Sequence, residues 1–184
     1  MNLRHICAAL GIAAFMVAAT ANATVHRVFP GESIQAAIDV AAPGDTILVE
    51  PVVYKNPDKS SKYGRRIAAD NLRLIGKVIP GRREAGKVRI VYNDDGDQDS
   101  GTGQQTGIYA APAGCDYKVS ADSDLGLACA EKQVKGFYIR GFTVEGFPRN
   151  GIQTRWVDGF EFVSNESVNN LNNGIYPTLS ANGL

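Results

Sequence analysis

The sequence predicts an all-β solenoid, a parallel β-helix closed at its start by a short capping helix, and three observations carry that prediction. Near the carboxy end a segment repeats itself (134 to 157 and 150 to 173, an offset of 23). The remaining body is a string of short β-branched and aromatic runs punctuated by Gly, Pro, Asn and Asp. Helical periodicity of useful length is confined to one stretch that precedes the first apolar strand.

Taken in order, residues 1–23 read as a secretory signal peptide. Arg4 supplies the basic start, residues 6–19 form an uncharged apolar run, and Ala21-Asn22-Ala23 provides the small residues of a cleavage site, with cleavage expected after Ala23. The run of about 14 residues is shorter than the roughly 20 needed to cross a hydrocarbon core, so no membrane span is expected. Cys7 lies inside the apolar run rather than at the cleavage point, which argues against a lipid anchor. The expected organisation is therefore a signal peptide over 1–23 and one domain over 24–184, in the periplasm or secreted.

In the domain, Val25–Val28 reads as a strand and Ser33 as the cap of a short helix over 34–40. Ile34, Ala37, Ile38 and Ala41 fall on one helical face. Such a helix covers the otherwise exposed end of a stack of strands. Pro43-Gly44-Asp45 ends it, and Thr46–Val49 follows as a buried strand. Strands are expected again over 72–75 and 88–91. Residues 93–113 and 115–129 look like two polar excursions from a regular body.

The repeat gives the architecture. Val134-Lys135-Gly136-Phe137 returns as Val157-Asp158-Gly159-Phe160, and Asn150-Gly151-Ile152 as Asn173-Gly174-Ile175. Ile139 meets Phe162 at the same offset, whereas Val144 and Phe147 meet Val168 and Leu171 only with one residue inserted. Three strands of three to five residues at about 3.3 Å each, with their turns, consume such a period, so each repeat is one turn of a coil. Phe137 is expected to stack beneath Phe160, with Tyr138 and Glu161 facing water. Asn150 and Asn173 are expected at one turn, in left-handed geometry, with a side-chain amide hydrogen bond between them. A leucine-rich horseshoe has similar repeat lengths, but its Leu-x-x-Leu-x-Leu pattern is missing. A third copy begins at Asn182-Gly183-Leu184, which suggests the amino-terminal part of a longer coil.

Residues 29–38 (Phe-Pro-Gly-Glu-Ser-Ile-Gln-Ala-Ala-Ile), followed by Pro43-Gly44-Asp45-Thr46-Ile47-Leu48-Val49, resemble the opening of pectin-lyase-like, right-handed parallel β-helix proteins. Asp158-Gly159-Phe160 and residues 173–180 are similar to coils of the same group. The resemblance implies a right-handed coil rather than one activity, since the group includes lyases, hydrolases and epimerases of polysaccharides, accessory proteins for periplasmic copper sites and members with no assigned role. A shared fold does not assign a reaction.

Composition narrows the chemistry. Lys plus Arg and Asp plus Glu balance at 19 each, so nucleic acid is not an expected partner. In an oxidising compartment Cys115 and Cys129 are expected to form a disulfide, the alternative being two separate buried thiols. A lone mature histidine, His26, and two cysteines fall short of a structural zinc set. Asp95, Asp97 and Asp99 alternate as calcium ligands do, although an EF-hand register would want Gly and Glu where Ser100 and Thr106 stand. Calcium binding and a solvated acidic loop are the two readings there.

For polysaccharide cleavage the coils offer Arg140, Glu145, Arg149, Arg155, Asp158, Glu161 and Glu166, of which Asp158 and Glu161 are expected to share a face; none matches a catalytic motif. Lys55, Lys59, Lys62, Arg65 and Arg66 form a basic cluster fit for an anionic glycan or for a solvated face. Residues 101–107 have a glycine pattern without the strand and helix of a nucleotide loop. Asn165-Glu166-Ser167 fits a glycosylation pattern inside a coil, and Trp156 is expected to pack rather than to stack on sugar. The expected function is binding or processing of polysaccharide on a lateral face of the coil. A non-catalytic scaffold or adhesion module is the alternative.

Overall fold

The computed structural model describes residues 22–55, 62–82, 87–92 and 106–184; the signal-peptide segment lies mostly outside them. In chain order the elements are β1 (Val25–Val28), α1 (Ile34–Val40), β2 (Thr46–Val49), β3 (Val53–Lys55), β4 (Tyr63–Ile67), β5 (Arg73–Gly76) and β6 (Val88–Val91). They continue with β7 (Thr106–Ala110), α2 (Asp124–Glu131), β8 (Val134–Arg140), β9 (Phe142–Glu145), β10 (Asn150–Arg155), β11 (Val157–Val163), β12 (Glu166–Val168), β13 (Asn173–Thr178) and β14 (Ala181–Gly183).

These strands form three sheets. Sheet I runs β1-β2-β5-β8-β11-β14, sheet II β3-β6-β9-β12 and sheet III β4-β7-β10-β13. The pairings are parallel throughout. From β2 onward the chain visits sheets I, II and III in unchanging rotation, an order compatible with the expected β-helix. Each circuit therefore lies on the one before it.

Between the sheets lies the core. Ile47, Leu74 and Ile139 align in sheet I, Ile90 and Val144 in sheet II, Ile108 and Ile152 in sheet III, and all are fully buried. Each such side chain contributes roughly 1.5–3 kcal/mol by leaving water. Helix α1 starts at Ser33, whose hydroxyl accepts from the Ala36 amide at 3.2 Å, and buries Ile34 and Ile38 in the same core. It packs on β1, β2 and β4, and so covers the first circuit as expected.

The repeat is tighter than the sequence suggests. Phe137 pairs with Phe160, Ile139 with Phe162 and Asn150 with Asn173, with Tyr138 beside Glu161. However, Val144 pairs with Ser167 and Glu145 with Val168, so no residue is inserted. The apolar Val168 and Leu171 are exposed, and Asn170 stands above Phe147, bonding to its amide from 23 positions on. Asn165 does the same for Phe142. The two amides also donate to the Ile139 and Val144 carbonyls at 3.0 and 3.1 Å, so polar side chains replace apolar ones while holding the corners.

Left-handed backbone recurs at fixed places: Gly136, Gly159 and Asn182; Gly141 and Ser164; Gly146 and Asn169; Trp156 and Leu179. Asn173 donates to the Asn150 side chain at 3.2 Å as expected, but neither asparagine adopts the left-handed form expected of it. In sheet III Gly64, Gly107, Gly151 and Gly174 stack at an inner corner where a Cβ on Gly107 would sit 2.3 Å from Val144 and 2.9 Å from Phe147. Only glycine lets the wall approach the core so closely.

Earlier circuits carry longer excursions. Residues 106–110 are strand rather than part of a polar loop, and the loop closed by the two cysteines contains helix α2. Cys115 and Cys129 are disulfide-bonded.

Candidate functional site

The three outer faces differ in what covers them. On sheet III, Tyr63 and Tyr109 stack with ring centres 4.3 Å apart, and Tyr117 from the disulfide loop meets Tyr63 edge-on. Arg66 donates to the carbonyls of Ala111 and Pro112 at 2.6 Å each and reaches that of Cys115 at 3.4 Å. Arg155 donates to those of Tyr117 and Val119, and Arg149 lies 4.1 Å over the Tyr117 ring. Lys62 and the Tyr63 hydroxyl bond to Asp116. Burial pushes the Asp116 carboxyl up, but Lys62, the Lys118 amide and Tyr63 outweigh it and hold the group below its ordinary range. Burial also raises the Tyr109 hydroxyl to about 12. Trp156 is 2% exposed and packs with the disulfide, in line with the packing role expected of it.

On sheet I, Arg73 lies 4.0 Å over the Tyr138 ring, and Glu161 is in register with Tyr138 one circuit on. Asp158 is bonded by Lys135 at 2.8 Å and by Asn182, which hold its carboxyl below the ordinary range. Asp158 and Glu161 thus occupy one strand, with Asp158 committed to its neighbours.

Among the described residues, sheet II presents a charged face lined by clefts. Alternation turns Tyr54, Ile90 and Val144 into the core, which leaves Arg89 aligned with Thr143 and Glu166, and Lys55 with Val91 and Glu145, facing out. Arg89 pairs with Glu145, and Lys87 pairs with Glu166, which also accepts from the Thr143 hydroxyl at 3.3 Å. Lys87 holds the Glu166 carboxyl below its usual range against a weaker effect of burial.

Two clefts flank this column. One, of about 340 Å³, is lined by Lys55, Arg89, Tyr92, Glu145 and Asn169. The other, of about 290 Å³, is lined by Lys87, Thr143, Ser164, Asn165 and Glu166. The clefts draw on strands β3, β6, β9 and β12 and on the corners beside them.

Asp95, Asp97 and Asp99 lie outside the described residues, as does Lys59. Among the described residues no group of three or more His, Cys, Asp and Glu side chains is placed to hold a metal ion. The basic cluster is dispersed: Lys55 lines a sheet II cleft, Lys62 pairs with Asp116, and Arg66 holds loop carbonyls. Arg65 takes the register position of Ile108 and is 4% exposed, and burial lowers its guanidinium to about 10. No helix among the described residues is long and apolar enough to cross a membrane. Comparison with protein-family models, with curated proteins and with solved structures returned no match.

Proposed function

We propose that the chain is an exported, right-handed parallel β-helix of the pectin-lyase-like kind that binds polysaccharide along the outer face of sheet II. The observation that carries this reading is the pair of adjoining clefts, in which cations and carboxylates of successive circuits line one surface. A linear polymer bearing hydroxyls and carboxylates is matched by donors and acceptors repeated at the strand spacing of about 4.8 Å. Export accords with the Cys115–Cys129 bond, because disulfides persist in oxidising compartments.

Binding fits the site better than cleavage. A general acid must hold its proton near neutral pH, whereas Lys87 keeps Glu166 ionised and Arg89 engages Glu145. The non-catalytic reading, a glycan-adhesion module, follows from the same pairing. Affinity electrophoresis of the chain in gels containing uronate-rich or neutral polysaccharide tests it. Retardation that falls at least fivefold in Arg89→Ala and Lys55→Ala is expected. Release of unsaturated or reducing ends would reassign the face to catalysis, and unretarded migration in every polymer would sink the reading.

A further inference from the structure

The start of sheet I holds an arrangement that the sheet II face does not use. Asp45, at the end of the α1 connection, is 4% exposed. Its Oδ1 accepts from the Thr24 backbone nitrogen at 2.8 Å, and its Oδ2 accepts from the Ala42 amide at 2.9 Å and faces His26 Nε2 at 2.8 Å. The Thr24 carbonyl accepts from the Thr46 amide at 2.9 Å, so both backbone polar groups of Thr24 are gripped. Asn22 and Ala23 are exposed. The grip of the fold thus begins one bond after the Ala21-Asn22-Ala23 boundary.

We infer that removal of the leader after Ala23 converts Thr24 into a docked amino terminus, its new ammonium held by Asp45 beside His26. This rests on the export reading above. Cleavage consumes one water: the Ala23–Thr24 C–N bond breaks, Ala23 takes the oxygen as a carboxylate, and the Thr24 nitrogen takes protons to become an ammonium. A neutral amide donor to a buried carboxylate becomes a charged one, and charge-assisted bonds are about twice as strong. The fold therefore contains a receptor for the terminus that processing creates. Its occupant is already aligned in the unprocessed chain.

The test has two readouts. Mass spectrometry of the chain exported by a bacterial host identifies the terminus; Thr24 is expected, and any other first residue overturns both the cleavage and the docking. The α-amine of the Thr24 form is then labelled with acetic anhydride at neutral pH beside an unstructured peptide of the same first residues. Labelling five- to tenfold slower than the peptide is expected, since a rise of about one pKa unit is a tenfold effect. Peptide-like labelling of a chain that does begin at Thr24 overturns the docking and leaves export standing. Asp45→Asn is expected to restore the peptide rate. A chain retaining Ala23, whose amine lies one residue beyond the carboxylate, gives the same control if that variant does not fold.

Discussion

On sheet III, Arg66 and Arg155 meet backbone carbonyls of the loop that leads into and through the disulfide, whereas on sheet II Arg89 and Lys87 meet carboxylates that line clefts. Both faces carry the same kind of cation at equivalent outward positions. The difference lies in what the corner between strands supplies. Where the connection is long, the loop folds back and becomes the partner. On sheet II the cations find side-chain partners on later circuits instead, Arg89 on β9 and Lys87 on β12. The cations of one face are thus held by backbone carbonyls of a loop, and those of the other by carboxylates of later circuits.

Cutting the disulfide is expected to have the largest effect. Cys115→Ser with Cys129→Ser opens a loop of 14 residues' separation, and a loss of about 3 kcal/mol is expected in chemical denaturation, in the chain-entropy account. Polysaccharide retardation should persist, because the loop covers the other face. Loss of both together would show that the faces are coupled. Next in size, Arg66→Ala leaves the Ala111 and Pro112 carbonyls without their donor, and a cost of about 2 kcal/mol is expected in the same measurement.

A smaller effect separates the ends of the molecule by pH. His26, with the Thr24 and Ala42 amides, lowers Asp45 from 3.8 to about 2. A depressed carboxyl stabilises the fold fully above its unfolded value and loses that contribution as pH falls through the folded one. Melting temperature should therefore drop between about pH 4 and pH 2, less steeply in Asp45→Asn. The smallest effect is Glu166→Gln, an exposed pair, with a stability change within about 1 kcal/mol while glycan retardation weakens. A large loss of stability there would make sheet II another structural face.

Much of this architecture is legible in the residues themselves. Helix α1, strands β1, β2 and β6, and the stacking of Phe137 under Phe160 follow from periodicity and repetition, because those residues obey the rule of their element. Strands β4 and β7 escaped notice because Arg65 stands where an apolar residue is the norm and glycine marks their inner corner. Helix α2 is short and exposes Leu125 and Leu127 while burying Gly126 and Cys129, so its apolar pattern misleads. Val168 misled in the same way, suggesting an insertion that the asparagine corners rule out. The sheet II site was only half visible. Lys55, Glu145 and Glu166 stood among the candidates, but Arg89 did not, and the register that joins Arg89 to Thr143 and Lys55 to Val91 is fixed by loops whose length no local signal reveals.

The recurring left-handed joints make length itself a quantised property of this wall. Four such joints lie in equivalent places in the circuits beginning at Val134 and Val157, with Asn165 and Asn170 bonding back 23 positions. Adding or deleting a whole period would leave every side chain on its own side, whereas a change of one residue within a strand would turn that strand inside out. Descendants of this sequence are free to grow taller in steps of one storey, and free to vary at the corners, but not to drift by single residues along the walls.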